Sequence, residues 1–142
     1  MFYLIPAAIA WFTAQGLKHL IGTLGRNRRI FGDSQSKLLP SGGMPSVHSA
    51  TIVAFATYVG LVDGWQSGLF GLSLIFAAIV LYDAMGVRYA SGRQGELLNK
   101  LAGSMKKPLS PIPVVHGHKP IEVLAGSLIG VVISSIVFFT TI

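Results

Sequence analysis

An all-α membrane protein is the fold class this sequence predicts, and three observations predict it. Of its 142 residues, 51% are hydrophobic and 11% are charged, against about 25% charged in an ordinary soluble domain. So few charges cannot solvate the outside of a globule this size. The apolar residues gather in runs approaching the roughly 20 residues that a helix needs to cross a bilayer core of about 30 Å. Finally, every Lys and Arg lies in one of two long loops or close to the helix ends beside them. The expected architecture is about four transmembrane helices plus a short amphipathic interfacial helix, forming a single integral membrane domain over residues 1–142.

The first run extends from about Phe2 to Leu24 and is interrupted by Lys18 and His19. It lacks a basic leader and an obvious small-residue cleavage site, so it reads as a retained helix and not as a signal peptide. The second, from about Val47 to Val62, is short and rich in Ala, Thr and Val. The third spans about Gly68 to Val87 with Asp83 near its end, and the fourth about Ile121 to Thr140. Only Asp63 to Ser67, without a cation, joins the second and third runs.

The loop from Gly25 to Met44 holds Arg26, Arg28, Arg29 and Lys37, then a Pro40-Ser41-Gly42-Gly43 stretch that should turn sharply. The loop from Arg88 to Lys119 holds Arg88, Arg93, Lys100, Lys106, Lys107 and Lys119. Inside it, Leu97, Leu98, Leu101 and Met105 share one helical face, and Glu96 and Lys100 are spaced to pair. That is the interfacial helix, after which Pro108, Pro111 and Pro113 break regular structure. The positive-inside rule puts both basic loops in the cytoplasm and both termini on the non-cytoplasmic side, in the plasma (inner) membrane.

Composition also excludes function classes. The net charge of +6 reads as basic cytoplasmic loops, not as a nucleic-acid footprint. Hydrophobicity this high excludes disorder. With no Cys, structural disulfides, thiolate metal sites and a Cys nucleophile are excluded together. Four His residues raise the question of zinc, but they form no compact ligand cluster, so no metal and no cofactor is expected.

Polar residues inside membrane spans are functional hypotheses by default. Here Lys18 lies near the cytoplasmic end of the first span, and His48 opens the second. Asp83 and Arg88 close the third, while His118 and Glu122 open the fourth. All of them fall at one side of the membrane. Each also has a structural reading. Lys18 could snorkel to headgroups, His48 could bond locally, and Asp83 with Arg88 could be an internal ion pair. His118 and Glu122, spaced i, i+4, could be a satisfied pair. His19 and His116 read as interfacial residues. The segment Gly42-Gly43-Met44-Pro45-Ser46-Val47-His48-Ser49-Ala50 is more specific. Its glycines let backbone N–H groups approach an anion, Ser46 can cap the helix, and the helix start adds positive potential.

Pro45-Ser46-Val47-His48 resembles the Pro-Ser-Gly-His motif of the type 2 phosphatidic acid phosphatases. More closely, nearly the full chain resembles the divergent branch of that superfamily, the acid phosphatase/vanadium-dependent haloperoxidase-related family. Besides Lys18 and Gly42 to Ala50, the likeness rests on Tyr82-Asp83-Ala84-Met85-Gly86-Val87-Arg88, on Gly92, Gln94, Leu98 and Asn99, and on Gly117-His118-Lys119-Pro120-Ile121-Glu122-Val123.

The resemblance implies a lipid phosphatase working through a phosphohistidine. His118 matches the nucleophile, and Glu122 stands where the superfamily has Asp. His48 matches the general acid, while Lys18, Ser46 and Arg88 would bind the phosphate, with Asp83 and Gln94 in support. The chain departs from the superfamily pattern in three places. Val47 replaces Gly, Lys18 has no correctly spaced Arg-Pro, and Arg88 is far in sequence from His118. Three readings are therefore carried. The first is a membrane hydrolase of a lipid phosphate or pyrophosphate, and the second a non-catalytic binding or transport protein that keeps the anion site. The third, a purely structural subunit, is disfavoured by the polar convergence. The expected partners are the lipid phosphate and membrane lipids. Gly126 and Gly130 form a small-x-x-x-small face that suits either a homodimer or packing within one chain.

Overall fold

A computed structural model describes residues 3–24, 43–105, 109–114 and 117–141. Those residues form five helices: α1 (Leu4–Leu24), α2 (Val47–Asp63), α3 (Gly68–Met85), α4 (Val87–Ser104) and α5 (Pro120–Thr141). Arg26, Arg28, Arg29, Lys37, the Pro40-Ser41-Gly42 part of the expected turn, Lys106, Lys107, Pro108 and His116 lie outside the described residues.

Local chemistry sets the helix ends. Pro6 sits in the first turn of α1, where N–H groups have no helical partner to lose. Ser46 caps α2, its Oγ accepting from the Ser49 amide at 3.4 Å. Ser67 caps α3 in the same way, accepting from the Phe70 amide at 3.1 Å. Between them the chain turns at Gly64, whose φ of 90° is left-handed and suits glycine. Pro120 occupies the first position of α5, the helical site proline tolerates best.

Two stretches of the described residues are long and apolar enough to cross a membrane. They are Gly68–Ser104, which contains α3, and Pro120–Thr141, with mean hydropathies of 2.0 and 2.3 in their most apolar windows. Only 17% and 28% of those windows are buried inside the protein. A soluble core helix would be covered; these helices turn Leu72, Ile75, Phe76, Ile79, Leu128 and Phe139 outward, as a lipid solvent requires. The α2 helix is apolar but has 17 residues. The longer α1 helix has its apolar run broken by Gln15, Lys18 and His19.

Helix α2 stands at the centre, packed against α5, α1 and α3, and α1 also touches α5. Small residues make this possible. The buried stripe of α1 is Ala7, Ala10, Ala14 and Lys18, and that of α5 is Val123, Gly126, Gly130, Ser134 and Val137. Both stripes meet Val47, Ala50 and Ala54 of α2, with Ile129 and Ile133 packed alongside. A Cβ built on Gly126 would stand 2.2 Å from the Ser46 carbonyl oxygen, and one on Gly130 would stand 2.5 Å from that of Ala50. The Ser134 hydroxyl then donates to the Ala54 carbonyl across the same seam. One point departs from the homodimer reading: of the two uses the pattern allows, the Gly126–Gly130 face is packed on α2 within the chain.

A second difference concerns α4. The sequence reading ends the third span at Val87 and opens a loop at Arg88. Instead α3 stops at Met85, Gly86 bends the backbone (φ −100°, ψ −82°), and α4 begins at once. Hydropathy falls at Arg88, but helix propensity does not, because residues 88–104 are mostly Arg, Ala, Gln, Glu, Leu and Lys with a few glycines. Among the helices, α4 touches only α3, and Leu97, Leu98, Leu101 and Met105 remain exposed. The predicted amphipathic helix is present and is longer than expected.

Candidate active site

His118 is one of the buried polar residues among those described. It is 6% exposed, and its Nδ1 lies 3.0 Å from Glu122 Oε2. A carboxylate can only accept, so Nδ1 carries the proton, and in the neutral imidazole Nε2 has the lone pair. The same carboxylate oxygen accepts the Lys119 amide at 3.2 Å. Lys119 is the N-cap of α5 and Glu122 its third residue, the reciprocal position of a capping box. The helix start thus fixes the carboxylate, and the carboxylate fixes the imidazole. A negative charge in the first turn also suits the helix dipole.

Backbone contacts carry His118 to the other helices. Its amide donates to the Ala84 carbonyl of α3 at 2.9 Å. Gly117 lies directly on the α3–α4 junction, where a Cβ would meet the Tyr89 nitrogen at 2.2 Å and the Arg88 carbonyl carbon at 2.7 Å. Only glycine allows that approach. It brings Arg88, distant in sequence, beside the His118 segment. Arg88 in turn pairs through Nε with Asp83 Oδ2, both side chains being partly exposed.

The remaining predicted groups converge. His48, on the first turn of α2, is exposed and lies within electrostatic reach of Arg88, His118, Lys18 and Asp83. Lys18 is 4% exposed on the inward stripe of α1, within reach of Glu122. A buried ammonium is costly without negative partners, so its position facing the site is not that of a snorkelling lysine. Four helices and the segment before α5 therefore contribute to one cluster.

Two predicted residues are placed differently. Ser46 is fully buried: its hydroxyl accepts from the Ser49 hydroxyl at 2.8 Å, and its amide donates to the Glu122 carbonyl at 2.9 Å. The amide contact ties Ser46, at the start of α2, to α5. Gln94 is exposed on α4 and is not drawn into the cluster among the described residues. Among those residues, no group of three or more His, Asp or Glu is arranged to hold a metal.

Asn99 has a structural role that the sequence did not reveal. Its Nδ2 donates to the Ile112 carbonyl and its Oδ1 accepts the Ile112 amide, both at 2.9 Å. This two-way clamp holds the returning segment 109–114 along α4, with Val114 against Gly95. That segment leads to Gly117 and His118. A lone Asn on an amphipathic helix gives no sign of such a role, although a glycine immediately before a functional His could have suggested the close approach at Gly117.

Residues 2–133 match the Divergent PAP2 family. The chain belongs to that family. It is also 35% identical over 119 residues to the uncharacterized membrane protein YuiD of Bacillus subtilis (strain 168), covering 73% of this chain and 75% of that protein. No solved structure matches. The resemblance read from the Pro45–His48 and Gly117–Val123 motifs is thus borne out, and the protein is a membrane protein related to the PAP2 superfamily. In this chain Arg88 is supplied by α4, whereas His118 lies on the segment before α5.

Proposed function

We propose that this protein hydrolyses a phosphate or pyrophosphate group on a lipid through a phosphohistidine. The observation that carries this reading is the buried His118–Glu122 pair, with Nδ1 committed at 3.0 Å, which leaves Nε2 as the nitrogen for nucleophilic attack. A site that only bound an anion would gain nothing from a carboxylate inside it.

In this scheme Lys18 and Arg88 hold the phosphoryl oxygens and neutralise the charge that develops on them. Asp83 orients the Arg88 guanidinium. His118 Nε2 forms a bond to phosphorus as the P–O bond to the lipid breaks, and Glu122 stabilises the imidazole as it becomes cationic. His48 gives its proton to the departing alkoxide. Water then attacks the phosphohistidine, His48 takes a proton from that water, and inorganic phosphate leaves. Proton transfer of this kind is typically worth about 10²–10⁴-fold.

The whole chain acts as one integral membrane domain of four spans, α1, α2, α3 and α5, with α4 on the membrane surface. Both termini lie outside and the catalytic cluster lies at the cytoplasmic face of the plasma membrane. Impermeant labelling of intact cells tests this topology: Gln66→Cys should react and Ser36→Cys should not, and the opposite pattern would invert it. The function itself is tested by phosphate release from lipid phosphates by purified protein, with His118→Ala as the comparison. Loss of turnover and of any acid-labile phosphoenzyme in a folded His118→Ala protein is expected. Full turnover in that protein would leave phospholipid binding or lipid-phosphate transport as the surviving reading.

A further inference from the structure

An open groove of about 420 Å³ runs along α2 between α1 and α3. Trp11 of α1, Ile52 of α2 and Phe76 of α3 line it, Leu4 closes one end, and His48 stands at the other. The lining is almost wholly apolar. Thr51 also contributes, but its hydroxyl donates back to the Val47 carbonyl at 2.8 Å; the other side chains there with polar atoms are His48 and Trp11. His48 is also the group within electrostatic reach of Arg88, Lys18 and His118. One side chain therefore belongs both to a cationic cluster and to a hydrocarbon channel. From His48 to Phe55 the groove follows seven residues of α2, about 10 Å at 1.5 Å per residue, or roughly a third of the bilayer core. Its volume lies in the lower part of the range of ligand clefts, about 300–1,000 Å³.

We infer that this groove holds the hydrocarbon tail of the lipid whose phosphate is bound by Lys18 and Arg88. The lipid enters sideways from the bilayer between α1 and α3, and its head-to-tail linkage lies at His48. The inference rests on the proposed function for its headgroup. Charge and shape both fit this occupant: cations gather at one end only, and an apolar channel of open side leads away from them. A tail longer than the groove leaves its excess in the bilayer, so discrimination by length ends near Leu4.

The test uses the full chain in lipid nanodiscs, with a photoactivatable single-chain alkyl phosphate and the matching alkyl alcohol as probes. His118→Ala protein is used for labelling so that the phosphate probe is not consumed. The phosphate probe should label peptides carrying Trp11, Ile52 and Phe76 at least about tenfold more than the alcohol does. Equal labelling by the two probes would make the groove a seat for ordinary bilayer lipid and overturn the proposal. Turnover gives a second readout in protein with His118 intact. Ile52→Trp should lower the ratio of long-chain to short-chain kcat/KM by at least about tenfold. Leu128→Trp, on the outward face of α5, should leave that ratio alone. An unchanged ratio in Ile52→Trp, with both esters hydrolysed, would overturn the groove and leave the phosphatase reading intact. Phosphate-dependent labelling with neither ester hydrolysed would support the groove and overturn hydrolysis. A dimer that Ile52→Trp dissolves would assign the groove to a second copy, and would also overturn the proposal.

Discussion

The two ends of the helix bundle are built from different materials. At one end Lys18, His48, Arg88, His118 and Glu122 converge, and the segments bearing them are joined through backbone atoms: the His118 amide to Ala84, and the Ser46 amide to Glu122, each at 2.9 Å. At the other end aromatic rings dominate. Tyr58 stands edge-on to Tyr3 and to Phe138 at centroid distances of 6.1 and 6.5 Å, and Trp65 meets Phe70 at 5.1 Å. The polar link there, from the Tyr3 hydroxyl to Asp63 at 3.0 Å, is exposed. Aromatic rings tolerate small displacements, because their attraction is spread over many weak contacts. In the proposed mechanism a nucleophile, a proton donor and two cations must hold their separations closely, since a displacement of about 1 Å can cost about 10²-fold in rate. Backbone ties and glycine contacts at the polar end provide that rigidity.

Substitutions at the two ends should separate accordingly. The largest effect is expected for His48→Ala at the polar end, a loss of about 10²–10⁴-fold in turnover of an alkyl phosphate. With a nitrophenyl phosphate the loss should be much smaller, because that leaving group needs little protonation. Steady-state rates on the two esters check this, and equal losses would remove His48 from the leaving-group role.

Gly117→Ala should come next. Its Cβ would meet the Tyr89 nitrogen at 2.2 Å, so the His118 segment must lift from the α3–α4 junction. A fall of about 10²-fold in kcat, with the helical content retained by circular dichroism, is the expected result. Full activity would show that the close approach is not needed for chemistry.

Gly130→Leu sharpens the comparison through stability. Overpacking a seam where a Cβ already lies 2.5 Å from the Ala50 carbonyl oxygen should destabilise the fold by about 3 kcal/mol or more. Thermal unfolding in detergent reads this directly. A folded protein whose only change is a halved mass would return these glycines to a dimer interface.

Asn99→Ala removes two hydrogen bonds to Ile112 at an exposed position, each worth about 0.5–1.5 kcal/mol at most. Hydrogen exchange at the Ile112 amide should accelerate, and kcat should fall more than global stability does.

The smallest effect belongs to the aromatic end. Its hydrogen bond to Asp63 holds the Tyr3 phenol above its ordinary pKa. A folded-state pKa raised in this way makes the link present at neutral pH and lost only as pH rises through that raised value. Tyr3→Phe should remove a tyrosinate absorbance that titrates above the ordinary range while leaving turnover at neutral pH unchanged.

Much of this protein was legible without its fold. Hydropathy located the four apolar runs to within a few residues, because burying a backbone in lipid demands long, uninterrupted helices. The spacing of His118 and Glu122 forecast their contact, since i and i+4 share a helix face. Other features were not legible. Propensity carried α4 back to Val87 although hydropathy had ended at Arg88. The Gly126–Gly130 stripe could serve one chain or two equally well by pattern, and the carbonyls of Ser46 and Ala50 assigned it to α2.

What the sequence determined by itself was therefore local: which segments are helical and apolar, that Ser46 caps a helix, and which polar residues lie at the ends of those segments. Tertiary structure alone decided the long-range relations. It brought the Arg88 backbone to the His118 segment through Gly117, made Ser46 a tie between α2 and α5, and opened an apolar groove at His48. The physical reason is that periodicity and propensity act within a few residues of chain. Close approach between helices depends instead on which small residues happen to face each other once the bundle has formed.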